Sequence, residues 1–143
     1  MAQTATGTGL LDMKTNSSNE PAEEPPVDLG RLNDFTNGNL DDLRDLVTLY
    51  IKQTAAQVEQ LDAAIKAGSA PDVRRLAHSC AGASATCGMK RIVPFLRRLE
   101  HEAEEGNLAN APELCRSTSE EFQRIRTFLE AYLAQQANLA AQT

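Results

Sequence analysis

Only two histidines occur among the 143 residues, and one of them stands in surroundings suited to chemistry. His78 lies in RRLAHSCAGASATCGM, residues 74–89, with Gly82 four positions on and otherwise Ala, Ser and Cys around it. Near neutral pH an imidazole can offer one unprotonated ring nitrogen as a nucleophile. A glycine inside a helix costs roughly 1 kcal/mol relative to alanine, which a merely solvated surface does not call for. A second body that must approach the imidazole closely would call for it. His101, in LEHEAEE, has no glycine beside it and is crowded by glutamates, so it reads as a solvated residue.

A helical wheel places His78 relative to its neighbours. With His78 at zero and ~100° per residue, Leu76, Cys87, Cys80, Val73, Ser84 and Ala77 fall between about 160° and 260°. This mainly apolar arc lies almost opposite the histidine, so His78 faces outward. Arg74 and Arg75 precede it by one turn. Ala81 and Gly82 follow by one turn, Ala85 by two and Met89 by three, which makes the C-terminal side of the histidine face nearly bare backbone.

Other chemistries lack their residues. No Cys/His set with metal-ligand spacing accompanies His78, since His101 is distant in sequence and Cys80 and Cys87 point inward. No Ser/His/Asp arrangement converges, and no Gly-rich phosphate loop or nucleotide motif occurs. Any phosphoryl group reaching His78 must therefore come from a donor other than ATP bound by this chain. The net charge of −6 argues against nucleic acid as a partner, because phosphate backbones need a basic face. Residues 1–27 contribute −3 of it, with Asp12, Glu20, Glu23 and Glu24 against Lys14.

The elements that position His78 are helical. Aromatics are 4% of the chain, Trp is absent, and Ala, Leu, Glu, Gln and Arg dominate. Residues 1–27 are polar and end in EEPPV, as expected of a disordered segment. Val27, Leu29, Leu32 and Phe35 suit a short helix laid over the end of something larger. After TNGN, Asn39 caps a long helix with an inward stripe of Leu43, Val47, Tyr50, Thr54, Val58, Leu61 and Ile65. Ser69 and Asp72 resemble a capping box ahead of the His78 helix, expected over 71–87 and stopped by Gly88. A fourth helix over 91–105 directs Ile92, Leu96, Leu99 and Ala103 inward, with Pro94 in its first turn. The last carries Leu114, Thr118, Phe122, Ile125, Leu129, Tyr132 and Leu133, to about residue 137. Short loops make neighbours antiparallel. The expected fold is an all-α, up-down-up-down four-helix bundle over 28–137 with a short N-terminal capping helix, leaving 138–143 as a flexible tail.

Cys80, Cys87 and Cys115 form no paired pattern. Cys80 and Cys87 are about 10 Å apart along one helix, too far for a disulfide, so all three read as small core residues in a reducing compartment. No stretch is apolar enough to span a membrane, and the N-terminus lacks the pattern of a secretory signal. The expected location is cytoplasmic.

LAHSCAGASATCGM on the second helix of such a bundle, with FLRRLE on the next, resembles the histidine phosphotransfer (HPt) domain, and the likeness extends over residues 28–133. The resemblance implies a phosphorelay intermediate. His78 would take a phosphoryl group from an aspartate of one receiver domain and pass it to another, with Mg²⁺ supplied by the receiver and no cofactor on this chain. Gly82 would clear room for the phosphoryl group. Ala85, Met89 and Lys90, with Ala81, would belong to the docking surface. Many family members carry a lysine where this chain has Ala81, so Arg74 or Arg75 would substitute in part, and both would help attract an acidic receiver face. Glu100 is the candidate to orient the imidazole through its other nitrogen, and Ser84 is expected to support packing. Partners would be receivers of hybrid kinases and response regulators, met by a free-standing monomer. The competing reading, favoured by Ala81, is a degenerate bundle that docks receivers as an adaptor without being phosphorylated.

Overall fold

Asp28 starts the folded chain by accepting a hydrogen bond from the Arg31 amide at 3.1 Å, a side-chain cap on the first helix. The computed structural model describes residues 25–142; the segment expected to be disordered lies, through residue 24, outside them. Five helices follow in order: α1 (Leu29–Thr36), α2 (Leu40–Lys66), α3 (Ala70–Thr86), α4 (Val93–Glu104) and α5 (Ala111–Ala141). The described residues contain no strand.

The last four helices pack in a closed ring, α2 on α3, α3 on α4, α4 on α5 and α5 on α2, joined by the short connections 67–69, 87–92 and 105–110. This is the four-helix bundle that four apolar stripes and short loops require. Leu43, Val47, Tyr50, Thr54 and Leu61 of α2 share one buried core with Leu96, Leu99 and Ala103 of α4 and Leu114, Phe122, Ile125 and Leu129 of α5. Val58 and Ile65 are only partly buried, and Ala64 takes the inner position near the end of α2.

Local chemistry sets the helix ends. Asn39 accepts from the Asp42 amide at 2.9 Å. Ser69 occupies the N-cap of α3, but its hydroxyl donates to Asp72 Oδ2 at 3.0 Å instead of accepting from the backbone. The end of α3 decides more. Gly88 has φ +86, the Gly88 amide bonds Ala85 O, and the Met89 amide bonds Ser84 O at 2.8 Å. This is a Schellman turn. A Cβ at Gly88 would stand 2.8 Å from Asp28 O and 3.0 Å from Arg31 Cβ, so glycine is required for both conformation and space. The same junction bonds the Asp28 amide to Gly88 O at 2.7 Å and Arg31 Nε to Thr86 O at 3.2 Å. Thus α1 is fastened to the C-terminus of α3, and Asn33 meets the Tyr132 hydroxyl of α5 at 3.2 Å.

Several expectations are corrected. Met89 is not a surface residue: the turn at Gly88 takes it off the wheel of α3 and into the core, where its exposure is 0%. Ala81 is also fully buried, because the buried arc of α3 extends past Ala77 toward the histidine, on a helix whose largest interface is with α4. Val27, placed in the leading segment, belongs to the core. Beyond residue 137 the chain continues as helix to Ala141, since ANLAA offers strong helix formers and no glycine or proline to stop them. Leu139 lines a groove there with Leu40, Leu43 and Tyr132. Phe35, expected to cover the bundle, is exposed.

One buried group had no counterpart in the sequence reading. Glu121 of α5 is almost wholly enclosed, paired with Arg124 and, at 3.5 Å, with Arg91 from the connection before α4.

Candidate functional site

His78 sits midway along α3 with its side chain 67% exposed, while Glu100, on the adjoining α4, is only 19% exposed. The two meet at 2.7 Å, His78 Nδ1 to Glu100 Oε2. Partial burial pushes the Glu100 carboxyl up, but hydrogen bonds from His78 and Arg97, together with their charges, outweigh it and hold the group below its ordinary range. Glu100 is therefore a carboxylate at neutral pH and can only accept. Nδ1 then carries the hydrogen, and in the neutral ring Nε2 is left with a free lone pair on an exposed side chain.

The second Glu100 oxygen is also engaged. Arg97, one turn earlier on α4, donates from Nη1 to Oε1 at 3.0 Å. The neighbouring Arg98 is turned away to Glu102 at 3.0 Å, and His101 to Glu105 at 3.4 Å. On the other flank Gln57 of α2 donates to Ser79 Oγ at 3.2 Å, tying α2 to α3 beside the histidine.

Gly82 lies one turn beyond His78. Its own helix backbone and chain neighbours aside, a Cβ built there would meet no atom of the described residues within 4 Å. Among the described residues no helix crossing requires this glycine. Ala85 and Lys90 are exposed.

A profile of the Hpt domain matches residues 45–137. The chain belongs to the Hpt domain family. Members of this family serve histidine phosphotransfer in phosphorelays. Among solved structures, the crystal structure of histidine-containing phosphotransfer protein B from Pseudomonas aeruginosa PAO1 superposes on this Hpt domain with a TM-score of 0.74. The match has 26% identity and covers 79% of this chain and 98% of that one. No curated protein sequence matches the chain.

Within the Hpt bundle the expected site residues separate into three groups. His78, Gly82 and Glu100 cluster at the α3–α4 surface, with Ala85 exposed one turn beyond Gly82. Arg74 and Arg75 are exposed a turn before His78. Arg75 folds back on Asp72 at 3.5 Å, Arg74 has no ion-pair partner among the described residues, and neither bonds His78 or Glu100. Ala81, Met89 and Ser84 are interior. Ser84 Oγ is 2.8 Å from the buried Tyr50 hydroxyl, whose pKa burial pushes well above its ordinary value, so this hydroxyl pair stays neutral inside the core.

Burial raises all three thiols, Cys80 to about 11, so none is a ready nucleophile at neutral pH. Cys80 and Cys115 are core residues and Cys87 is half-buried. No cluster of three His, Cys, Asp or Glu side chains with metal-binding geometry occurs among the described residues. None of their helices is long and apolar enough to cross a membrane.

Arg97 and Gln57 went unnamed in the sequence reading. Arg97 left a signal, an opposite charge three residues before Glu100 on the same helix. Gln57 left none, because its partner is twenty-two positions away on another helix.

Proposed function

We propose that His78 carries the phosphoryl group in a relay between receiver domains. The observation that supports this most is the Nδ1–Glu100 hydrogen bond at 2.7 Å on an otherwise exposed ring. It holds the tautomer in which Nε2 is the nucleophile. In the proposed step the Nε2 lone pair attacks the phosphorus of a receiver's aspartyl phosphate. The Nε2–P bond forms as the P–O bond to the aspartate breaks, and the carboxylate leaves with the electron pair. The hydrogen on Nδ1 stays in place, the ring becomes cationic, and Glu100 stabilises that charge. Transfer to a second receiver is the reverse step with a different aspartate.

This division of labour asks little of the bundle. It positions one nucleophile and leaves the approach clear at Gly82 and Ala85. Mg²⁺ would be held by the receiver, where it would offset the charge of the phosphoryl oxygens. Ala81 stands where many relatives have a lysine, and it contributes no charge. Arg74 and Arg75 supply positive charge one turn away and steer an acidic receiver face toward the site. The four apolar stripes are satisfied within one bundle, so a monomer suffices.

The test is phosphoryl transfer from an acetyl-phosphate-charged receiver to the purified protein, wild type beside His78→Gln. Acid-labile, alkali-stable label on the wild type and none on the variant is the expected result. No label on either, with receiver binding intact, would replace the carrier by a docking adaptor. Label on both would move the site away from His78.

A further inference from the structure

Glu100 is the pivot of a chain of three groups, and its far end has no role in the step written above. Oε2 accepts from His78 Nδ1 at 2.7 Å and Oε1 accepts from Arg97 Nη1 at 3.0 Å. A carboxylate held at one oxygen only can rotate about its terminal torsion, which is broad and has no sharp staggered wells. One held at both oxygens by donors from different helices cannot turn without breaking a bond. Arg97 is the next residue along α4 on the same face, one turn toward the N-terminus, and it is half exposed. On α4 Arg98 is committed to Glu102 and His101 to Glu105, and on α3 Arg75 is committed to Asp72 while Arg74 bonds neither His78 nor Glu100.

We infer that Arg97 is a positioning residue for phosphotransfer, acting through Glu100 to fix the Nδ1–H tautomer of His78 and keep Nε2 bare. The inference rests on His78 being the phosphoryl carrier and on Glu100 being its direct partner. Its physical content is twofold. The Arg97 guanidinium locks the carboxylate plane so that one oxygen faces the imidazole. It also offsets the negative charge of Glu100, which otherwise repels a dianionic phosphoryl group arriving on the other side of the ring.

Two readouts separate this role from a structural one. The first is the imidazole ¹⁵N spectrum of His78 in the full chain, taken at a pH where the ring is neutral, which reports the tautomer directly and needs no phosphorylation. The wild type should show mainly the Nδ1–H form. Arg97→Ala should shift population toward the Nε2–H form that free imidazole side chains prefer, Arg97→Lys should recover most of the wild-type spectrum, and Glu100→Ala should abolish the preference. The second is the transfer rate from a charged receiver. It should fall about fivefold in Arg97→Ala, as expected for loss of one partly exposed charge-assisted contact, with helix content unchanged and the thermal midpoint lowered by no more than the loss of one surface pair.

If Arg97→Ala keeps both the wild-type tautomer and the wild-type rate while Glu100→Ala changes them, Arg97 positions nothing and the proposal falls while the carrier reading stands. If the wild type takes no label at all, the carrier reading fails. The tautomer series then still reports whether Arg97 governs the His78–Glu100 bond. A lowered rate with an unmoved tautomer would also overturn the positioning role, since Arg97 would then act only through its charge, on Glu100 or on the receiver.

Discussion

Substitution of Gly82 should make the free protein more stable and a worse phosphotransfer partner. Gly82 lies inside α3, away from both ends, where glycine costs roughly 0.5–1 kcal/mol relative to alanine through backbone entropy. In most packed proteins part of that gain is lost to clashes, but here a Cβ meets no atom of the described residues within 4 Å beyond its own helix backbone and chain neighbours. Gly82→Ala should therefore stabilise the bundle by about 0.5–1 kcal/mol, raising Tm by about 2–6 °C for a domain of this size. Gly82→Leu should keep most of that gain, since leucine is nearly as good a helix former. The cost appears only in the complex. A leucine side chain one turn from His78 occupies space that a docked receiver must use, and overpacking an interface costs about 1–3 kcal/mol, or roughly 5- to 150-fold in receiver affinity and in transfer at low receiver concentration. Thermal melts followed by circular dichroism measure the first effect. Titration calorimetry against a receiver, with transfer of label, measures the second. Loss of stability in Gly82→Ala would refute the open space at this position. Wild-type binding and transfer in Gly82→Leu would refute the argument that the glycine exists for an approaching partner.

Three further outcomes follow from side chains whose roles the fold defines. Met89→Ala should cost about 2–4 kcal/mol in urea unfolding, because the Schellman turn at Gly88 buries this side chain completely; a surface methionine would cost almost nothing. Ser84→Ala should destabilise by about 1–2 kcal/mol through the buried Tyr50 hydroxyl it leaves with one partner fewer, while Ser84→Ala combined with Tyr50→Phe should cost less than the separate losses added, and transfer by either variant should equal wild type. The Glu100 carboxyl is held below its unfolded value, so it contributes stability above the ordinary carboxylate range of about 4 and loses it as pH falls through the lower folded value. The wild type should then exceed Glu100→Gln in urea midpoint at pH 6–7, and the two curves should converge as the pH is lowered through and below about 4.

Local rules carried a large part of this protein. Apolar residues at steps of three and four, Asn39 as a cap, Pro94 in a first turn and Gly88 as a stop are interactions within one or two turns, and the chain displays them before it folds. The outward direction of His78 belongs to the same class, because a wheel needs only the helix on which the residue sits. Contacts between helices are another matter. A wheel ranks the sides of α3 by polarity, but alanine satisfies either a buried or an exposed position, so only the seating of α4 against α3 decided that Ala81 is interior. Met89 shows the limit more sharply. Angular counting holds while the backbone repeats, and the left-handed Gly88 ends the repeat one residue too soon for the count to apply. The division of the two Glu100 oxygens between His78 and Arg97, and the enclosure of Glu121 with Arg91 and Arg124, depend on distances between segments far apart in the chain. Sequence by itself determined the helices, their order and the exposed histidine; the packing of α4 beside α3 decided which charges surround it, because a charged side chain has no fixed partner until a second helix brings one within hydrogen-bonding reach.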